Sequence, residues 1–257
     1  MKRLISLAFI AGMAASACPD CGICMASNDH RTDPDHYYLN SDQLPSSVGL
    51  IQIVPDTTSA RFAYDHEQYE WGKTMRATER GRQAVVDADL SEGWLDRSFG
   101  KAFGMPLTKE SLPETYKLLM TMKDDAGHLA PMEAKAHYQR TRPFVFWKEP
   151  TTTPWDEDGL SKNGSYPSGH TSIGWATALV LAEINPARMN EILQRGFEYG
   201  QSRVIVGAHY QSDVDAGRVI GAAAVAMLHT SDDFQAQLAK AKAEVKQKLK
   251  GKANKNK

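Results

Sequence analysis

Cysteine is scarce in this 257-residue sequence, and all three cysteines lie within residues 18–24. The core formed by the rest of the chain therefore needs no disulfide bond. Neither sign of charge predominates: the formal net charge is −1, and no long basic stretch is interleaved with aromatic residues. Since nucleic-acid-binding proteins usually carry a basic patch, the sequence predicts no nucleic-acid partner.

Long apolar runs are missing beyond the N-terminus. Past residue 17 no run of 18 apolar residues occurs, so no membrane-spanning helix is predicted there. Alternating polar and apolar residues, the pattern of a strand, do not extend over any useful length, and no internal repeat is present. Apolar residues instead recur at helical spacing, and hydrophobic residues make up 42% of the chain. The sequence therefore predicts an all-α fold.

The N-terminus has the pattern of a secretory signal peptide. Lys2 and Arg3 precede the apolar run LISLAFIAGMAA, and Ala15-Ser16-Ala17 is a small-x-small cleavage pattern. We expect residues 1–17 to be removed, which predicts a periplasmic or secreted protein.

The three cysteines leave several interpretations open. Cys18 follows the predicted cleavage point and resembles a lipoprotein cleavage site, although Ala15 stands where a larger aliphatic residue is usual. A disulfide such as Cys21–Cys24 and a metal site are the alternatives, and zinc would need a fourth ligand in a folded context. A lipid on Cys18 would be the only membrane anchor that the sequence predicts.

Four regions follow one another along the chain. They are the signal peptide (1–17), a cysteine-containing leader and extended arm (18–58), a helical domain (59–235), and a charged helix with a lysine-rich tail (236–257). Within the domain we predict helices over 130–142, 170–185, 188–206 and 213–229, and a long loop over 146–165. Loops of that length in a compact domain are usually functional.

The stretch GSYPSGH at 164–170 leads directly into an apolar helix. Ser168 is a good N-cap, and a structural interpretation would stop there, with His170 merely tolerated in the first turn. The functional alternative is that the free backbone N–H groups of such a terminus, with the helix dipole, form an anion site.

Cationic residues and a second histidine accompany this turn. Lys135 and Arg142 are seven residues apart, so we predict that both project from one face of a helix. Arg203 comes near the end of its helix, and His209 and Asp213 are four residues apart on the next, where the carboxylate can fix the imidazole tautomer. Taken alone, each of these patterns more often has a structural role than a catalytic one. Together they form a set for phosphoryl transfer without metal ligands.

The order of these motifs resembles the three-part signature of the PAP2/vanadium haloperoxidase superfamily. K-x6-RP spans 135–143, PSGH spans 167–170, and SR-x5-H-x3-D spans 202–213. The longer GSYPSGHTS resembles the bacterial class A non-specific acid phosphatases, and the likeness extends from about residue 59 to 229. The resemblance implies a single-domain helical bundle, a homo-oligomer, and a secreted acid phosphatase of broad specificity for small phosphate monoesters. Transfer of phosphate to alcohols would be a further activity.

The resemblance also implies residue roles. His209 would be the nucleophile that forms a phosphohistidine, Asp213 would orient it, and His170 would be the general acid. The residues implied to hold the phosphate are Lys135, Arg142, Ser168, Gly169 and Arg203. No metal ion and no cofactor are expected.

Three other functions compete with this one. A lipid phosphatase of the same superfamily would need several membrane spans, which the sequence lacks beyond residue 17. A vanadium haloperoxidase could use nearly the same anion site, but such enzymes are usually much longer chains. A periplasmic phosphate-binding protein would need the cations, but not two histidines and an orienting aspartate.

Overall fold

The computed structural model describes the backbone of residues 37–255 and the side chains of residues 37–251. The predicted signal peptide and the three cysteines lie outside this part of the chain. Helices and turns make up the described residues, no strand occurs among them, and the predicted all-α fold is confirmed. Within the same residues no helix is long and apolar enough to cross a bilayer.

Twelve α-helices occur in the described residues. They are α1 (Ser47–Leu50), α2 (Ala60–Met75), α3 (Glu79–Ala88), α4 (Lys101–Phe103), α5 (Pro113–Asp124), α6 (Met132–Tyr138), α7 (Pro143–Phe146), α8 (Glu157–Ser161), α9 (Gly169–Ile184), α10 (Met189–Ile205), α11 (Gln211–Leu228) and α12 (Asp232–Lys255). Short 3₁₀ turns cover Ser41–Gln43, Pro154–Asp156 and Pro186–Arg188, and π turns cover Asp96–Gly100 and Asp125–Leu129.

The centre of the fold is α9, which packs against both α10 and α11. Buried residues lie on almost every side of α9, as expected of a helix that other helices surround. Ser168 caps its first turn by accepting a hydrogen bond from the backbone N–H of Thr171, and Pro186 follows its last turn. The three helices predicted over 170–185, 188–206 and 213–229 are therefore present, with ends shifted by at most two residues.

The helix predicted over 130–142 is shorter in the structure. α6 ends at Tyr138, because Gln139 adopts a left-handed conformation with φ of 40°, and Pro143 begins α7 instead of ending α6. The prediction that Lys135 and Arg142 share one helix face is therefore wrong. The predicted loop over 146–165 is also not wholly irregular, since it contains α8 and a 3₁₀ turn.

Both chain ends of the described region pack on the central core. On α12, Phe234, Leu238 and Val245 are buried, and the helix lies against α5 and α9. Leu39 and Ile51, from the segment before α2, belong to the same apolar cluster. The boundaries placed by sequence at 58/59 and 235/236 stay predictions, but the residues on either side of each contribute to one core.

Candidate active site

The predicted site residues come together where four segments meet. These are the end of α6 with its connection to α7, the turn before α9 with the first turn of that helix, the last turn of α10, and the α10–α11 connection with the first turn of α11. Gly207, with φ of 89°, lets the chain fold back after α10, so that the N–H of His209 donates to the carbonyl of Arg203 at 3.2 Å. This turn places the histidine beside the arginine that precedes it by six residues.

His209 is buried and its two ring nitrogens have different partners. Nδ1 lies 3.2 Å from Oδ2 of Asp213, and Nε2 lies 2.9 Å from Nη1 of Arg142. A carboxylate only accepts and a guanidinium only donates, so Nδ1 carries the proton and Nε2 presents its lone pair. Loss of hydration, followed by the nearby Arg142, lowers the pKa of His209 well below its usual value. The ring is therefore neutral, with Nε2 facing the cations.

Asp213 is fully buried and is held as a carboxylate. Its Oδ2 accepts hydrogen bonds from the Tyr210 backbone N–H at 3.0 Å and from the Ser165 hydroxyl, besides the His209 ring. Burial raises its pKa, but the positive Arg140 and the hydrogen bond with His209 outweigh this, so that the pKa lies below the usual value. The carboxylate is thus ionised throughout the range in which enzymes normally work.

Two predicted cations reach the site from neighbouring segments, Lys135 from α6 and Arg142 from the α6–α7 connection. Arg142 is anchored by backbone carbonyls, since its Nε donates to Leu160 and Asn163 and its Nη1 to Ala208. Loss of hydration and the nearby Arg203 lower its pKa to about 10. Its backbone conformation is extended, with φ of −72°, where it caps α7.

Lys135, at the C-terminal end of α6, approaches from a different direction. Its Nζ donates to the carbonyl of Gly164 at 2.7 Å, and its Cε lies 3.8 Å from the position that a Cβ on residue 169 would occupy. Loss of hydration and the positive Arg142 lower its pKa to about 7. The cations are therefore brought together by loop folding and not by a shared helix face.

Arg203 differs from the other two cations in its lack of hydrogen bonds to the described residues. It is completely buried, and within the part of the chain that the structure describes none of its three guanidinium nitrogens has a hydrogen-bond partner. A buried charge without a partner costs free energy, and loss of hydration lowers its pKa. An oxyanion is the ligand that such a group fits.

The turn before α9 supplies hydrogen-bond donors. The Ser168 Oγ accepts from the backbone N–H and the hydroxyl of Thr171, which leaves its own hydroxyl proton available. The N–H groups of Gly169 and His170 lie in the first turn, where a helix offers no acceptor. A side chain at Gly169 would place Cβ 2.7 Å from the carbonyl oxygen of Gly127, so glycine is required for this close approach.

His170 is partly exposed, and one of its two ring nitrogens is bonded to the backbone. Its Nε2 lies 3.1 Å from the carbonyl oxygen of Ala88, which can only accept, so this nitrogen carries a proton. Proton exchange must therefore occur at Nδ1. Loss of hydration and the charge of Arg203 lower its pKa well below the usual value, so the free site holds a neutral imidazole.

Two side chains that contact the His–Asp pair carry no sequence signal for that role. Arg140 is buried and donates to Asp213 and Asp65, and the Ser165 hydroxyl donates to Asp213. Arg140 stands two residues before Arg142 and Ser165 stands within GSYPSGH, but no spacing rule connects either to Asp213. Asp65 lies on the apolar stripe of α2, which is an unusual position for a carboxylate.

The arrangement can bind a tetrahedral oxyanion and attack it. Three depressed-pKa cations and a helix N-terminus surround a neutral imidazole whose lone pair is fixed in direction. Among the side chains of residues 37–251, no three His, Cys, Asp or Glu side chains are grouped so that they could hold a metal ion.

Comparison with known proteins agrees with this geometry. Residues 120–235 match the PAP2 superfamily. A non-specific acid phosphatase of Providencia stuartii is 49% identical over 248 residues, which covers 95% of this chain and 98% of that protein. A non-specific acid phosphatase of Salmonella typhimurium is 45% identical over 82% of this chain and 84% of its own length. An acid phosphatase of Zymomonas mobilis is 36% identical over 86% and 82%, respectively. Since the similarity spans nearly the whole chain, the chain belongs to the PAP2 superfamily, with the non-specific acid phosphatases.

Proposed function

We propose that this protein is an acid phosphatase that hydrolyses a broad range of small phosphate monoesters through a phosphohistidine on His209. The observation that carries the proposal is the direction of the His209 ring. Asp213 holds the proton on Nδ1, and Nε2 faces Arg142 at 2.9 Å. The relatives named as acid phosphatases support the same activity.

In the first step, phosphate oxygens of the substrate take over the donors of Arg142 and give Arg203 the partners that it lacks. The lone pair of Nε2 attacks phosphorus, the P–N bond forms, and the bond from phosphorus to the ester oxygen breaks. The leaving oxygen takes a proton from Nδ1 of protonated His170. Asp213 stabilises the positive charge that develops on the His209 ring.

In the second step, water attacks the phosphohistidine. Neutral His170 takes a proton from this water, the new P–O bond forms, and the P–N bond breaks, which returns His209 to its neutral state. An alcohol that enters in place of water would accept the phosphoryl group, so the proposal includes transfer to alcohol acceptors.

The histidine pKa values favour acidic working conditions. The lowered pKa of His209 keeps the nucleophile neutral in mild acid. The lowered pKa of His170 must rise before it can donate a proton, and the negative charge of bound phosphate acts in that direction. We therefore propose a bell-shaped pH profile with its maximum between about pH 5 and 7.

The first test asks whether catalysis needs a metal ion. Purified protein should hydrolyse p-nitrophenyl phosphate at an unchanged rate after exhaustive EDTA treatment, because three protein cations surround the reacting group. Vanadate should inhibit competitively, because it resembles the trigonal transition state. A rate recovered only after addition of zinc or magnesium would refute this mechanism.

The same assay separates the competing functions. A phosphate-binding protein would bind inorganic phosphate and show no turnover. A vanadium haloperoxidase would gain halide oxidation with peroxide on addition of vanadate, whereas the phosphatase proposed here only loses activity.

A second test concerns Lys135, whose pKa is lowered to about 7. The ammonium is present below that pH and is lost as the pH rises through it, so the affinity for inorganic phosphate should fall above about pH 7. In Lys135→Arg the charge persists, because arginine stays protonated, and the fall should be smaller. The inhibition constant of phosphate, measured from pH 5 to 9 in both proteins, checks this. Parallel curves above pH 7 would exclude Lys135 as the titrating group.

Export, lipidation and assembly are separate parts of the proposal. Removal of residues 1–17 and a lipid on Cys18 concern residues outside the described part of the chain, and they stay predictions. Assembly into a homo-oligomer likewise stays a prediction from the resemblance.

A further inference from the structure

A buried arginine lies directly behind the His209–Asp213 pair. Arg140 Nη1 donates to Oδ1 of Asp213 at 2.6 Å, and Nη2 donates to Oδ2 of Asp65 at 2.8 Å. Its side chain is 6% exposed and both carboxylates are fully buried. Arg140 therefore joins two carboxylates that are 148 residues apart in sequence but share one dehydrated region.

The guanidinium is itself held in place from several sides. Ser212 donates its backbone N–H and its hydroxyl to Asp65, at 2.7 and 2.6 Å, and its Oγ accepts from Nη1 of Arg140 at 2.8 Å. The Tyr210 ring lies beneath the guanidinium, 3.8 Å from ring centroid to Cζ. These contacts leave Arg140 little freedom to rotate.

The two oxygens of Asp213 have separate partners. Oδ1 accepts from Arg140, whereas Oδ2 accepts from the His209 ring, the Tyr210 N–H and the Ser165 hydroxyl. Rotation of the carboxylate would exchange the two sets. A guanidinium bonded to one oxygen therefore fixes which oxygen the imidazole meets.

We propose that Arg140 is a positioning residue for the reaction: it holds Asp213 in the orientation and charge state that fix the His209 tautomer, and Asp65 holds Arg140. The inference rests on the proposed function, in which His209 is the nucleophile. Arg140 itself does not contact phosphate, because its donors are directed to the two carboxylates and Ser212.

Several charged or titratable groups face Asp213, but they act at different ranges. Arg140 and His209 bond it directly, and Asp65 reaches it through Arg140. The groups that act on it only through longer-range electrostatics are the Lys135 ammonium, the Arg142 guanidinium and the phenols of Tyr166 and Tyr210. Arg140 is thus the one cation among the described residues that both neutralises and orients the Asp213 carboxylate. Its positive charge opposes the effect of burial, which by itself would favour the protonated carboxyl.

This assignment predicts a change in pH dependence with a definite sign. Arg140→Gln removes a positive charge beside the His–Asp pair, so the pair binds a proton more readily whichever member carries it. The acid limb of the kcat profile should move up by at least about one pH unit, since an adjacent arginine lowers a carboxylate pKa by about 1–3 units. Asp65→Asn removes a negative charge from the same network, and its acid limb should move down.

Two further variants separate positioning from loss of folding. Arg140→Lys keeps the charge but cannot serve both carboxylates, so kcat should fall while the acid limb stays near the wild-type position. Arg195→Gln breaks a comparably buried ion pair between Arg195 on α10 and Asp87 on α3. It should lower the melting temperature in the same way as Arg140→Gln, without moving the acid limb.

The experiment measures kcat against pH on p-nitrophenyl phosphate for all five proteins, with a melting curve for each. Opposite shifts in Arg140→Gln and Asp65→Asn support the proposal, and if one does not fold, the sign of the other decides. If the acid limbs of the two variants do not move, or if both move in the same direction, the proposal is overturned. Acid-labile phosphoenzyme is tested in the wild type first: its absence would refute the proposed function, whereas its presence with unmoved limbs would refute only the role of Arg140.

Discussion

His209→Ala should lose turnover of every phosphate monoester, with a rate reduced by on the order of 10⁴-fold or more, because the variant has no nucleophile. Denaturation in alkali during turnover of phosphate-labelled substrate should trap label on the wild-type protein and none on the variant, since the P–N bond of phosphohistidine is stable in alkali and is hydrolysed in acid. His137→Ala, which changes an exposed histidine on α6, is the control and should behave as wild type.

Residual activity in His209→Ala would show which step of the proposed mechanism is wrong. If His209→Ala still turned over p-nitrophenyl phosphate at a tenth of the wild-type rate, water would be attacking phosphorus directly and the covalent step would not exist. If label were trapped on the variant, the nucleophile would be another residue. Either result would leave the anion-binding groups in place and remove only the role of His209.

His170→Ala should show a loss that depends on the leaving group. An alkyl phosphate leaves as a basic alkoxide and needs a proton, so the rate should fall by roughly 10²–10⁴-fold, the usual contribution of general acid catalysis. p-Nitrophenolate can depart without a proton, so its loss should be clearly smaller. Initial rates on the two substrates, measured at the same pH, check this.

Ser168→Ala is the matched control for that experiment. Ser168 is the neighbouring polar residue of the same turn, and its hydroxyl would bind phosphate and not the leaving oxygen. Its replacement should therefore lower both rates by the same factor, besides weakening the cap of α9. Equal losses in His170→Ala would mean that His170 only holds phosphate or the start of α9.

Local sequence signals predicted most of the helices that carry the site. A serine cap before a long apolar run determined where α9 begins, and Pro186 determined where it ends. The contact of His209 with Asp213 is present at 3.2 Å, but the prediction that both lie on one helix face is wrong, because His209 precedes Tyr210, the N-cap of α11. These features depend on neighbours in sequence, so propensity and periodicity are sufficient to find them.

Features that depend on distant contacts were not predictable in this way. The end of α6 at Tyr138 depends on a left-handed Gln139, a residue type with no strong preference for that conformation. The partnership of Arg140 with Asp65 spans 75 residues and becomes visible only when α2 packs against α11. The spacing of Lys135 and Arg142 predicted a shared helix face, yet the two side chains meet in a dehydrated site because the chain leaves α6 at Gln139 and folds over.

Because the guanidinium of Arg203 has no hydrogen-bond partner in the described part of the chain, the stability of the fold depends on the anions in the medium. A dehydrated charge with no hydrogen bonds works against folding, and the packing of α9, α10 and α11 must offset that cost. An oxyanion that binds only the folded chain adds stability by mass action, about 2.7 kcal/mol when its concentration is 100 times its dissociation constant. The same chain is therefore a more robust protein in a medium rich in phosphate than in one without it, and its resistance to heat and proteases follows the composition of that medium.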